Sequence, residues 1–166
     1  MSDLVIRRAI EADIPEMNAI YNEYIVDSHV SFDIEPWSDE KRLAWFREGV
    51  VAGFPILVAC EGDTVVGASW AGPWQPKKAY RPSVETTVVL APGSEGHGLG
   101  TELYSRLLDA LRTEGFHRAF AIIALPNDPS IALHRNLGFT KIGVLDEAGF
   151  KDGVYHSTLL MQLALD

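Results

Sequence analysis

Residues Glu95-Gly96-His97-Gly98-Leu99-Gly100 put three glycines into six positions, after the apolar run Val88-Val89-Leu90 and before an apolar-periodic run that opens at Thr101. A glycine-rich turn that leads into a helix presents unpaired backbone N–H groups and the positive end of the helix dipole. No side chain then blocks a close approach, and such turns hold phosphate oxygens. The dinucleotide fingerprint needs Gly-x-Gly-x-x-Gly early in a parallel chain, with an acid about 20 residues later. Here the spacing is Gly96-x-Gly98-x-Gly100, late in the chain, and no P-loop Lys-Ser/Thr pair follows. On this loop alone, anion binding and plain turn glycines both stay open. Glu85 is the second residue of interest, a carboxylate inside the β-prone run Ser83 to Leu90. Without a partner it would resist ionisation, and its pKa would move up toward values useful for taking a proton. A strand glutamate facing water fits the same pattern. His29, His97, His117, His134 and His156 show no ligand spacing with carboxylates, so no metal is expected.

The elements that must position these residues alternate. "VIRRAI" reads as a strand; Asp13 and Glu16 then stand at capping-box spacing, ahead of Ile14, Met17, Ile20, Tyr21 and Tyr24 at helical spacing. Ser38 predicts the cap of a second helix with Leu43, Phe46 and Val50 on one face. Two apolar runs around Glu61-Gly62-Asp63 predict a hairpin. "SVETTVVLA" is a strand, the stripe Leu103, Tyr104, Leu107, Leu108 and Leu111 is a helix stopped by Gly115, and "HRAFAIIAL" is a strand again. That crossover predicts parallel strands on either side of the helix. Asp128 predicts the cap of a last helix, with Pro129 in its first turn and Gly138 at its end, before strands around "TKIGVLDE" and "STLLMQLAL".

The 166 residues, 47% hydrophobic, suit a single domain over 1–166 with one substantial core. Fourteen Lys+Arg against 23 Asp+Glu leave a net charge of −9, which repels a nucleic-acid backbone. A lone Cys60, and an opening segment without an apolar span, predict a reduced, cytoplasmic protein with no membrane partner.

Taken together and in order, "VIRRAIEADIPEMNAIYNEYI", "AGPW", "VETTVVLAPGSEGHGLGTELYSRLLDAL", "LPNDPSIALHRNLGF" and "GFKDGVYH" resemble the GNAT superfamily of N-acetyltransferases. Within it they are most similar to the phosphinothricin and methionine sulfoximine or sulfone acetyltransferases. The resemblance covers nearly the whole chain. It implies an α+β fold with a mixed, mostly antiparallel seven-stranded sheet, splayed between its fourth and fifth strands and flanked by about four helices. It also implies acetyl-CoA in the gap, a homodimer, and direct acetyl transfer to the amino group of a small amino acid or analogue.

By resemblance, Gly96, His97, Gly98, Leu99, Gly100 and Thr101 hold the coenzyme pyrophosphate, and the backbone of Val88, Val89 and Leu90 pairs with its pantetheine arm. Asn127 and Ser130 add hydrogen bonds. Glu95 departs from the family, whose loop has a basic or amide residue there; weaker coenzyme binding, or a side chain turned to water, is the expected result. Glu85 matches the strand-four glutamate and is the candidate base. His134 stands where many members place the tyrosine that protonates the thiolate, and an N–H near Val88 would hold the oxyanion. Arg81 resembles the arginine used for a substrate carboxylate, and Phe32 and Trp74 would wall the acceptor pocket. Gln75 replaces a second arginine of the sulfone-type enzymes, which leaves other small amino acids open. Two other readings fit: a peptide or protein N-acetyltransferase that draws basic tails to its acidic surface, and a non-catalytic acyl-CoA sensor.

Overall fold

Apolar residues at helical spacing form helices here wherever a sheet face is available to cover them, and alternating or continuous apolar runs form the strands. The computed structural model describes residues 4–166. In chain order it contains β1 (Leu4–Arg8), α1 (Ile14–Asp27), α2 (Asp39–Val51), β2 (Ile56–Glu61), β3 (Thr64–Pro73), β4 (Ser83–Leu90), α3 (Leu99–Thr113), β5 (Arg118–Ala124), α4 (Asp128–Asn136), β6 (Thr140–Lys151) and β7 (Val154–Ala164). Short 3₁₀ turns lie at Glu11–Asp13 and Lys78–Tyr80. The strands make one seven-stranded sheet in the order β1-β2-β3-β4-β5-β7-β6. The β4–β5 pair is parallel, as the crossover predicts, and the β1–β2, β2–β3, β3–β4, β5–β7 and β6–β7 pairs are antiparallel.

The sheet separates two apolar layers. On one face the α3 stripe is buried, with Leu103, Tyr104, Leu107 and Leu111 each 0% exposed, against Val84, Ala119, Ala121 and Met161. Truncating such a leucine to alanine costs about 2–5 kcal/mol. On the other face Ile14, Met17 and Ile20 of α1 and Phe46 of α2 pack on Val58, Ala68, Trp70 and Val89. Val50, expected on the same α2 face, is exposed.

Two predicted caps sit elsewhere. Asp13 makes no capping bond to its helix; it accepts two hydrogen bonds from the Arg7 guanidinium at 2.7 and 2.8 Å and one from Ile10 N at 2.8 Å. The hydrogen bonds from the Arg7 guanidinium hold the Asp13 carboxyl below the usual range. Glu16, its expected capping-box partner, accepts instead from Val65 N. Asn127, one residue earlier than expected, caps α4 by accepting from Ser130 N.

Lys151, at the end of β6, is 3% exposed, and its Nζ donates to the carbonyls of Ile25, Ser28 and Ser31 at 2.6, 2.8 and 2.7 Å. These three carbonyls satisfy the ammonium's three donors and tie the end of α1, and the segment after it, to the last hairpin.

Candidate active site

β4 and β5 pair over only three positions, Ser83 with Arg118, Val84 with Ala119 and Glu85 with Phe120. Beyond them β4 stays with β3 to Leu90, while β5 follows β7 to Ala124. The sheet therefore opens after Glu85, as the resemblance implies. At the fork, the Thr86 hydroxyl oxygen lies 3.1 Å from the Phe120 carbonyl. A cavity of about 300 Å³ occupies the opening, between Thr86 to Val89 and Ala121 to Ala124. Asn127, which caps α4, Ser130 and His134 of α4, and Tyr21, Tyr24 and Phe32 also line it.

Residues of an antiparallel strand bond alternately to the two sides. Ala91 N donates to Val66 O of β3, so Val89 also faces β3, whereas Val88 and Leu90 turn their backbone groups to the opening. At Leu90 these groups already meet Tyr24, whose hydroxyl donates to Leu90 O at 2.9 Å and accepts from Leu90 N at 3.4 Å.

The glycine loop ends on Gly98, which takes a left-handed conformation (φ +79°) and starts α3 without a capping side chain. The first helical bond runs from Glu102 N to Gly98 O, so the N–H groups of Leu99, Gly100 and Thr101 have no helical acceptor. In contrast, α2 has Ser38 and α4 has Asn127 as capping acceptors. An anion suits the α3 terminus. The Leu99 side chain is buried, so only its N–H can serve a ligand, whereas His97 and Thr101 are exposed. Glu95 turns back into its own loop and accepts from Gly93 N at 2.8 Å.

The β4 pleat sends Glu85 and Thr86 to opposite faces. Burial pushes the Glu85 carboxyl above the usual range. On the other face, Thr86 Oγ1 lies 2.6 Å from Tyr104 Oη, which lies 3.1 Å from His134 Nε2, while His134 Nδ1 donates to Ser130 O at 2.7 Å. Burial lowers the His134 pKa, so the ring is neutral near pH 7, with Nδ1 protonated and Nε2 accepting from Tyr104. Burial raises the Tyr104 pKa, so that hydroxyl keeps its proton. His134 thus lines the opening as expected, but neither ring nitrogen is free to hand a proton directly to a leaving group. The tyrosine partner was hidden in the sequence, where Tyr104 reads as one more residue of an apolar stripe.

Among the expected acceptor residues, Phe32 lines the cavity. Trp74 stacks on Phe120 with ring centroids 4.3 Å apart and lines neither this cavity nor the one on the far side of Glu85. Arg81 follows the Lys78–Tyr80 turn, is exposed, and also lies outside both. Their segment connects β3 to β4, where no periodicity sets the direction of a side chain. Among the described residues no cluster of His, Cys, Asp or Glu could hold a metal, and no helix is long and apolar enough to cross a membrane.

A model of the acetyltransferase (GNAT) family matches residues 15–139. The chain is 38% identical to a phosphinothricin N-acetyltransferase of Streptomyces coelicolor, over 93% of this chain and 92% of that one. It is 35% identical to the L-methionine sulfoximine/L-methionine sulfone acetyltransferase of Salmonella typhimurium, over 98% and 95% of the two chains. The solved structure of a Salmonella typhimurium acetyltransferase with its cofactor acetyl-CoA superposes with a TM-score of 0.97 at 35% identity, over 99% of this chain and 95% of that one.

Proposed function

The chain belongs to the acetyltransferase (GNAT) family, and from that premise we propose that it transfers acetyl from acetyl-CoA directly to the amino group of a small amino acid or analogue of the phosphinothricin or methionine sulfoximine type. The observation that carries this reading is a half-buried carboxylate with a raised pKa at the fork of a split sheet that also has an open helix N-terminus. The N–H groups of Gly96 to Thr101 hold the pyrophosphate, Val88 the pantetheine arm, and Asn127 and Ser130 further polar atoms of the coenzyme. With Leu90 occupied by Tyr24, Val88 is the free-facing backbone contact.

Glu85, directly or through a water, takes a proton from the ammonium, the nitrogen attacks the thioester carbonyl, and the Val88 N–H faces the developing oxyanion. The carbon–sulfur bond then breaks, and the proton that the attacking nitrogen must still lose goes to the thiolate, giving an N-acetyl product and free coenzyme A. A thiol of pKa about 8.5 leaves with little help. His134 therefore acts as a positioning residue, holding Thr86 at the fork through Tyr104. His134→Ala is expected to lower kcat less than loss of the base does, without recovery at high pH; a pH profile that matches a Glu85 variant would assign it the proton transfer instead.

Glu95→Gln keeps an acceptor for Gly93 N but removes a negative charge beside the pyrophosphate site. Calorimetry should show modestly tighter acetyl-CoA binding, more so at low salt; weaker binding would mean that the carboxylate itself serves the coenzyme. The reading as a whole is tested by free-thiol release from acetyl-CoA with phosphinothricin, methionine sulfoximine, methionine sulfone, other small amino acids and basic peptides. Turnover of the peptides alone would replace the small-acceptor reading with that of a protein acetyltransferase, and no turnover with any amine would leave a sensor. A homodimer accompanies this proposal, since a second copy would cover the exposed Leu145, Phe150 and Tyr155; a single-chain mass by light scattering would overturn it.

A further inference from the structure

Arg42 of α2 is 2% exposed and makes no salt bridge among the described residues, Asp33 acting on its charge only from a distance. Its guanidinium carbon lies 4.1 Å from the ring centre of Trp37, 4.7 Å from that of Tyr21 and 5.0 Å from that of Trp45. Nε donates to Asn18 Oδ1 at 3.2 Å, but the buried Nη2 has no hydrogen-bond partner. Stacked aromatic rings stabilise a cation without using its N–H donors. A buried donor left unserved is costly, and a ligand that serves it is a natural explanation.

Arg42 also lines a second cavity, of about 260 Å³, on the α1–α2 side of the sheet. Glu85, Thr87 and Tyr21 line both this cavity and the opening between β4 and β5, and Asp33 adds a second carboxylate to the smaller one. The walls thus offer one guanidinium and two carboxylates, which suits a zwitterion: a carboxylate for Arg42 and an ammonium for the acidic side, next to the proposed base. We infer that this cavity is the acceptor site and that Arg42, rather than Arg81, receives the carboxylate of a free α-amino acid. The inference rests on the small-acceptor reading above and names the residue that would enforce it.

Gly72 of β3, directly opposite Glu85, lines the same cavity, and a Cβ built on it meets no atom within 4 Å. Gly72→Leu therefore fills the cavity from a wall with room for the added chain. With L-methionine sulfone and its amide as probes, Arg42→Met should raise KM for the acid at least tenfold while changing KM for the amide and for acetyl-CoA little. Arg81→Ala should keep the wild-type preference for acid over amide. Gly72→Leu should raise KM for both acceptors and leave acetyl-CoA binding by calorimetry as in wild type. Should Arg42→Met not fold, the Gly72 and Arg81 variants decide. Loss of the acid preference in Arg81→Ala, unchanged acceptor kinetics in Gly72→Leu, or equal losses for acid and amide in a folded Arg42→Met would each overturn the assignment. A wild type that acetylates only peptides would instead remove the small-acceptor reading on which it rests, and the assignment with it.

Discussion

Glu85→Gln should lower kcat by roughly 10² to 10⁴ near neutral pH, the range of general acid–base contributions, and recover part of that loss at high pH where free amine is abundant. Glutamine keeps the shape of the side chain but cannot take a proton. Burial raises the Glu85 pKa, so the wild-type rate should rise through a pH higher than an ordinary glutamate would set. The same shift carries a stability consequence of definite sign. A carboxyl with a raised folded-state pKa favours folding below the ordinary glutamate value, and that contribution is lost as pH rises through the folded value. Gln removes the cost of a buried charge, so the variant should melt at a higher temperature than wild type at neutral pH while being far less active. Acetyl-CoA affinity by calorimetry should not change. Wild-type turnover by Glu85→Gln from about pH 6 to 9 would reduce the residue to a strand glutamate and sink the mechanism.

Gly98→Val should raise KM for acetyl-CoA roughly 10- to 100-fold and KM for the amine little. A β-branched residue is a true outlier at φ +79°, and holding one there costs of order 1–3 kcal/mol, where each 1.4 kcal/mol is tenfold in affinity. A Cβ at Gly98 meets nothing within 4 Å, so no packing is lost; the harm comes from the backbone and from the space a phosphate would fill. Gly98→Asn, which tolerates the left-handed region better, should fall between. Equal effects on both substrates would detach the loop from the coenzyme.

Much of the fold and of the site is legible in the sequence because it is local. The α3 stripe and its Gly115 stop, the parallel β4–β5 pair and the place of Glu85 on β4 follow from period and punctuation within a few residues. The caps were less legible, since Arg7 claims Asp13 from a neighbouring strand, and the α4 cap falls to Asn127 because its side chain, one residue earlier, reaches Ser130 N. Arg42 gave no sign at all. A helical arginine reads as a solvated charge, and only the fold brings Tyr21 from another helix to join Trp37 and Trp45 around it. Arg81 and Trp74 sit on the connection from β3 to β4, whose course depends on packing that no spacing encodes.

The three carbonyls held by Lys151 belong to residues 25 to 31, more than a hundred positions earlier in the chain. On a ribosome the chain emerges from its N-terminal end, so β1 to β4 can find one another while this anchor is still unsynthesised. Phe32, next to the last anchored carbonyl, rests against Gly149, so near that a Cβ there would lie 2.2 Å from its ring. The β4 side of the opening can thus take shape first, whereas β5, paired with β4 over three positions and with β7 over seven, waits for the β6–β7 hairpin. The wall that judges the amine is set in place later, by that same hairpin.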